Sequence, residues 1–232
     1  MYIPKQFEET RVPVMVEFIR AHPLCTLVTM GAAGMIASHI PMVLERGGSD
    51  VGGAGLGGDE LGAAEDELGV LRGHVSRANP QWREFRPEVE ALAMFLGPEH
   101  YITPAWYPEK AATRKVVPTW NYAAVHVYGR LRVIEDADWL RAHVEQLTEI
   151  HEAAMSEAGA GETWKVSDAP EDFVSAMVKG IVGVELAVTK MEGKWKASQN
   201  RSEADRRGVA AGLAELGTER SRAMQALVDR RE

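Results

Sequence analysis

Apolar and polar positions alternate through the middle of the chain. In VVPTWNYAAVHVYGRLRVIED (116–136), one face reads Thr119, Asn121, Ala123, Val125 and Val127, and the other Trp120, Tyr122, His126 and Tyr128. A period of two over this length predicts a β-strand. About 14 extended residues at roughly 3.3 Å each would span about 45 Å. A compact domain requires such a strand to curve, and Gly129 is the expected bend. Before it, Val12, Met15, Phe18 and Ile19 recur at helical spacing over 9–21, and Pro23 ends that pattern. LCTLVTM, GAAG and MIASHIPMVLE read as strand, turn and partner strand. GVLRGHV and ALAMFLG are two more strands, and 98–118, broken by Pro104, Pro108 and Pro118, reads as a loop.

Helical spacing returns near Asp136, with Leu140, Val144 and Leu147 on one face. DAPEDFVSAMVKGIVG predicts a further helix with Asp168 as N-cap, Pro170 in its first turn and Glu171 three residues after the cap. Phe173, Met177 and Ile181 form its expected apolar stripe. GVELAVTKMEG is a late strand, and KWKASQNRSEADRRGVAAGLAELG passes from a strand end into a helix capped by Ser202. The expected organisation is one domain over 1–213 and a charged helical tail over 214–232. Strands joined by hairpins and followed by helices predict a mainly β fold with α additions: an antiparallel β-barrel with peripheral helices.

Charge narrows the partners. The 232 residues carry 34 acids against 26 bases, a formal charge of −8. Such a surface repels polyanions unless its basic residues gather on one face. Arg201, Arg206, Arg207 and the tail arginines are interleaved with acids, and no helix-turn-helix pattern is present. The Gly-rich, acidic stretch 46–69 reads as a flexible hairpin insertion. It is not a phosphate loop, because its acids would repel a phosphate. The single cysteine, Cys25, cannot form an internal disulfide and reads as a buried, inert thiol. MYIPKQFEET lacks a signal-peptide core, and no apolar run approaches membrane-spanning length. A soluble, cytoplasmic protein is expected.

Three polar clusters carry candidate chemistry. In LRGHVSRANPQW, Arg72 and His74 share a strand face, and Ser76, Arg77 and Asn79 follow at the strand end. Cation, hydroxyl and amide groups there can collect phosphate oxygens, each charge-assisted bond being worth about 1.5–3 kcal/mol. A solvated strand end with an Asn-Pro turn is the plain alternative. KWKASQNR places Lys194, Lys196, Ser198 and Asn200 on one face, which an exposed edge strand would also do. The third cluster is the long strand. Asn121 sits in its apolar row, where an unpaired amide costs about 1–3 kcal/mol. Its aromatic row suits a subunit contact. None of the seven histidines falls in a zinc signature, and His143 and His151 read as surface residues.

These clusters, in this order, resemble the PaiB-like proteins, the FMN-binding negative transcriptional regulators. The resemblance runs from residue 1 to about 213, through MYIPKQFEET, HPLCTLVT, ASHIPMVL, LRGHVSRANPQW, YITPAWYPEK, VVPTWNYAAVHVYGRLRVIED, WKVSDAPEDFV and GKWKASQNR. It implies a split β-barrel and a homodimer with FMN at the subunit interface. It places Arg72, Gly73, His74 and Asn79 towards the flavin and its phosphate, and Thr29, Ser38 and His39 on the hairpin lining the phosphate end. Thr119, Trp120 and Asn121 match its P-T-W-N-Y segment, and Lys196, Ser198, Gln199, Asn200 and Arg201 its K-x-S-Q-N-R segment. The sequence departs from the family in the length of 46–69, in Ala197 where a larger apolar residue is usual, and in the tail past 213.

Two functions compete. One is an FMN-binding repressor whose charge favours indirect action over direct DNA contact. The other is an FMN-dependent oxidoreductase acting on a small molecule, with the flavin performing the redox chemistry and His74 the nearest candidate acid or base. Haem binding through a histidine ranks third, since the polar clusters suit a phosphate better.

Overall fold

A computed structural model describes residues 1–47 and 68–230. The stretch expected as an insertion, 46–69, therefore lies almost wholly outside the described residues. Among the described residues there are seven strands: β1 (Glu8–Glu9), β2 (Leu24–Gly31), β3 (Gly34–Glu45), β4 (Val70–Ser76), β5 (Ala91–Ile102), β6 (Thr119–Ile134) and β7 (Ile181–Lys196). The helices are α1 (Val12–Ala21), α2 (Gln81–Glu84), α3 (Glu109–Thr113), α4 (Ala137–Glu157), α5 (Glu171–Lys179), α6 (Glu203–Leu216) and α7 (Glu219–Asp229). The strands form one sheet in the order β1-β7-β4-β3-β2-β5-β6, and a further β7–β6 pairing closes it. This is the antiparallel split barrel with added helices that the strand pattern predicts.

The chain divides into two compact units, one of residues 1–22, 94–126 and 191–232, the other of 23–93 and 127–190. In the first, α6 and α7 pack through Val209, Leu213, Met224 and Val228 onto Ile102, Tyr107 and Ala197. Met224 and Val228 of the C-terminal helix belong to this core. Ser202 caps α6, its Oγ accepting from Asp205 N at 3.1 Å, and Thr218 caps α7, accepting from Ser221 N at 3.0 Å. Gly217, in the left-handed region at φ 61°, turns the chain between them. Trp106 lies flat on α6 because residues 208 and 212 are glycines: a Cβ at either would overlap its backbone or indole.

In the second unit, β2 and β3 form the expected hairpin, with Cys25 opposite Ile40 and Thr29 opposite Ile36. β4 pairs antiparallel with β3, Gly73 opposite Met42, and with β7, Arg72 opposite Glu185. Leu71, Gly73 and Val75 are buried on one face of β4, so Arg72 and His74 share the other. Asp136 caps α4, accepting from Trp139 N at 2.8 Å. Leu140 of α4 packs with Val166, Val174 and Val178. Gly129 serves close approach: a Cβ there would overlap the Ala187 carbonyl oxygen. Cys25 is fully buried, and burial pushes its thiol up to about 12, which keeps it protonated and inert.

Four expectations change. The strand at 91–97 continues through Pro98 to Ile102, so the loop is shorter and holds α3. The buried stripe of α5 is Val174 and Val178, while Phe173 and Met177 are exposed. Both pairs have i,i+4 spacing, and only the packing partner selects the phase. Pro170 occupies the N-cap position of α5, whereas the Asp168 carboxylate accepts from Lys165 N at 2.9 Å in the preceding 3₁₀ turn. His143 is a core residue, because the face of α4 bearing Leu140 and Leu147 also carries position 143.

Candidate functional site

Residues flagged in the sequence fall into two groups, one in each unit. In the first unit, the start of β6 supplies Thr119, Trp120 and Asn121, and the end of β7 supplies Lys196 and the turn after it. Gln199 fastens that turn: its Oε1 accepts from Ala197 N at 2.7 Å and its Nε2 donates to Trp195 O at 2.6 Å. Arg201 N donates to Ser198 O at 3.0 Å. Ser198 is thereby held at φ 66°, a left-handed conformation that a serine adopts only under constraint.

Asn121 is 0 % exposed and donates from Nδ2 to Ser198 Oγ at 2.8 Å. Its Oδ1 has no hydrogen-bond partner among the described residues. Whichever way the amide is turned, one end bonds the serine hydroxyl and the other is left over. Lys196 donates from Nζ to Thr119 Oγ1 at 2.6 Å. Burial, with Lys194 and Arg201 adding repulsion, holds its ammonium below the usual lysine range. Arg201 lies over the Tyr107 ring, 4.7 Å from its centre, and burial pushes that phenol up. Trp120 is half-exposed, bonded through Nε1 to the Glu99 carboxylate and edge-on to Tyr101 at 6.0 Å. Asn200 is exposed at the tip of the turn.

In the second unit the flagged residues form two networks. Gln81 Nε2 donates to Leu27 O at 3.0 Å and to Thr29 Oγ1 and Ile36 O, each at 3.2 Å. Asn79 accepts from Gln81 N at 2.9 Å and donates to Ser38 Oγ at 2.9 Å. Thr29, Ser38 and Asn79 are thus joined through a buried glutamine, and His39 stands exposed with Nδ1 3.0 Å from Thr26 Oγ1. Gly73 faces the buried side of β4. Arg72 is already engaged: its Nε donates to Glu185 at 2.8 Å, its Nη1 bonds Glu45, and its guanidinium lies 5.9 Å from the centre of the Trp139 ring. Arg132 bonds the other oxygen of Glu185.

His74 is engaged as well. Its Nδ1 is 3.3 Å from His143 Nε2, so one of the two carries the shared proton. His143, 1 % exposed, stacks on Trp139 at 5.1 Å. Burial, then His74 and Arg72, push its pKa down to about 4, and burial lowers that of His74 too. The other charged groups of this cluster are Glu45, Glu185 and Arg132. Since the unfolded imidazole titrates near its ordinary 6.5, the unfolded chain binds more protons than the fold between that value and about 4. The neutral dyad is therefore fully stabilising above about pH 6.5, and its contribution falls as the pH drops towards 4. Between about pH 7 and pH 4.5 the His143 contribution to unfolding free energy should fall by about 2 kcal/mol. Urea melts of the native chain and of His143→Leu at both pH values measure it. Equal pH dependence in the two proteins would show that the dyad does not titrate in this way.

The sequence reads His143 as a surface residue and does not single out Gln81, Glu185 or Tyr107. An acid within the apolar run VGVELAV and a histidine in register with Leu140 and Leu147 were the available signals. Among the described residues, no group of three or more His, Cys, Asp or Glu is placed to hold a metal, and no helix is long and apolar enough to cross a membrane.

FMN brings a phosphate dianion and a flat ring edged with donors and acceptors. The first group offers cations in Lys196 and Arg201, hydroxyls in Thr119 and Ser198, and unused acceptor capacity on Asn121. That donor set fits it.

Comparison with known proteins points to the same cofactor. A family model described as "Putative FMN-binding domain" matches residues 1–190. An uncharacterised protein of Emericella nidulans is 33% identical over 258 aligned positions, covering 100% of this chain and 97% of its own. The protease synthase and sporulation protein PAI 2 of Bacillus subtilis is 32% identical over 206, covering 88% and 85%. Among solved structures, the flavocytochrome Anf3 of Azotobacter vinelandii superposes with a TM-score of 0.52 at 9% identity, covering 84% of this chain and 72% of its own, a likeness of fold alone.

Proposed function

The chain belongs to the PaiB-like FMN-binding family, and from that premise we propose that Thr119, Asn121, Lys196, Ser198 and Arg201 are the residues that hold its flavin. One observation carries this reading: a fully buried amide with unused acceptor capacity, bonded to a serine held in the left-handed region. Strain at Ser198 and an unsatisfied polar atom on the Asn121 amide bonded to it are costs that a bound ligand can offset. Lys196 and Arg201 neutralise phosphate charge, Thr119 and Ser198 supply hydroxyls, and Gln199 and Asn200 shape the turn. Trp120 forms an aromatic wall. In the second unit, Ser38, His39 and Asn79 are proposed as groups able to bond phosphate oxygens, with Thr29 tied to them through Gln81, while Gly73 faces the buried side of β4. Arg72 and His74 contribute chiefly by keeping β4 in place, since Arg72 Nε and Nη1 and His74 Nδ1 already have partners. When bound, FMN supplies one- and two-electron redox chemistry.

Absorption spectroscopy of the purified protein, with mass spectrometry of the released ligand, tests the assignment. FMN is expected. Colourless protein that fails to bind added FMN would overturn it.

At the finer level, we propose an FMN-binding regulator that works as a homodimer and acts through a protein or metabolite partner. The PAI 2 relative, whose name ties it to protease synthesis and sporulation, supports the regulatory half. The exposed Leu96, Tyr101 and Trp120 support the dimer. A charge of −8 disfavours direct DNA contact. Sedimentation equilibrium decides the dimer, and a promoter shift at low salt that disappears with added salt would sink the indirect reading. The second reading is an FMN-dependent oxidoreductase, favoured by a groove lined by Tyr107, the residue under Arg201. Reduction of bound flavin by nicotinamide donors, and its reoxidation by an added acceptor, would select it.

A further inference from the structure

We propose that the groove formed by residues 104–116 is a binding site for a small planar aromatic anion, of which an aromatic carboxylate is the simplest example. The cavity is about 680 Å³, and Trp106, Tyr107, Pro108, Lys110, Arg114 and Val116 are among the residues that line it. That volume suits a small organic ligand.

Its walls are fixed from beneath. Trp106 rests on Gly208 and Gly212 of α6, where no side chain could fit. Tyr107 is part of the core with Ile102 and Leu213 and carries Arg201 on its ring. Thr103 Oγ1 accepts from Ala105 N at 3.2 Å, and Asp205 Oδ1 accepts from Glu109 N at 3.2 Å, pinning both ends of the Pro104–Pro108 turn. Arg114, at φ 57°, ends α3 in the left-handed region, with its N–H on Lys110 O at 3.2 Å. That reversal keeps Arg114 and Lys110 on the same cavity.

The charge of the lining points to the ligand. Among the described residues, two cations and no carboxylate line this groove, in a chain whose net charge is −8. A concave surface of one sign beside low-dielectric walls concentrates ligands of the opposite sign. The apolar floor is aromatic and proline-rich, which suits the face of a ring. A polyanion would meet the acidic remainder of the surface, whereas a small anion would not.

This site goes beyond the flavin reading and does not require it. FMN is itself a planar anion, so the experiment must separate the two. The full chain, flavin-free and FMN-loaded, is titrated by calorimetry with 2-naphthoate, 2-naphthylmethanol and acetate. Naphthoate is expected to bind in both states with a Kd below about 1 mM, at least about tenfold tighter than either other probe. Lys110→Gln with Arg114→Gln, both exposed, should weaken naphthoate at least about tenfold while leaving the thermal melt unchanged. Equal affinity for naphthylmethanol, or an unaffected double variant, would overturn the proposal. So would displacement of naphthoate by FMN, which would make the groove part of the flavin cradle. If FMN fails to bind while naphthoate binds with the stated selectivity, the flavin assignment falls and this site stands.

Discussion

Replacing Lys196 with methionine is expected to weaken FMN binding by about 10- to 100-fold while leaving the fold at least as stable. The two effects have opposite signs for one physical reason. Lys196 is half-buried, bonded to Thr119 Oγ1, and crowded by Lys194 and Arg201, so its ammonium is held in a site that disfavours the charge. Removing it relieves that cost in the empty protein. An incoming phosphate reverses the balance, since it would turn the crowd of cations into the attractive feature of the site. Charge-assisted hydrogen bonds contribute about 1.5–3 kcal/mol, which corresponds to the quoted range of affinity. Quenching of flavin fluorescence on titration measures the affinity, and a urea melt measures the stability. Arginine at the same position should restore only part of the binding, because a planar guanidinium does not reproduce the compact ammonium beside Thr119. Unchanged affinity in Lys196→Met would remove the cradle's principal cation and the assignment with it.

Glu185→Ala is expected to destabilise the fold by about 3 kcal/mol, the lower end of the cost of breaking a buried ion pair. Glu185 is 2 % exposed and receives Arg72 on one oxygen and Arg132 on the other. Without it, Arg72 keeps only Glu45 in a largely buried setting, while Arg132 can reach water. The double variant Arg72→Met with Glu185→Leu should recover most of the loss, since an apolar pair avoids the desolvation that the ion pair carries. Chemical denaturation of the three proteins reads this coupling, and a single-variant loss below about 1 kcal/mol would show the pair to be unimportant. The same double variant tests the expected flavin contact of Arg72: retained FMN affinity would confirm a structural role, and lost affinity with recovered stability would return Arg72 to the cofactor.

Several features were legible because their causes are local. Alternation along β6 separated Asn121, Ala123, Val125 and Val127, all buried, from the half-exposed Trp120 and the partly covered Tyr122 and His126. Ser202 announced its helix because an N-cap needs only a side-chain oxygen within three residues of the N–H it accepts from. The hairpin of β2 and β3 followed from two alternating runs around Gly31–Gly34. The P-T-W-N-Y and K-x-S-Q-N-R segments were recognisable as chemistry, although nothing in either segment states that Asn121 bonds Ser198 from 77 residues away.

Periodicity says that a face is apolar; it does not say what covers it. On α5 two stripes, Phe173–Met177 and Val174–Val178, satisfy the same spacing, and contact with Leu140 and Val166 decides between them. His143 is polar by composition and buried by position, because α4 turns that face towards His74 and Arg72. Arg72 looked available for a phosphate because its neutralising partner, Glu185, is 113 residues distant. By itself, then, the sequence determined the period of each element, its caps and the inventory of cations, hydroxyls and amides. The tertiary structure alone decided which cations were already neutralised, which amide was left with an unpaired end, and which aromatic rings became walls. The reason is range: backbone periodicity and capping act across a few residues, whereas burial and charge pairing depend on neighbours that only the closed sheet brings together.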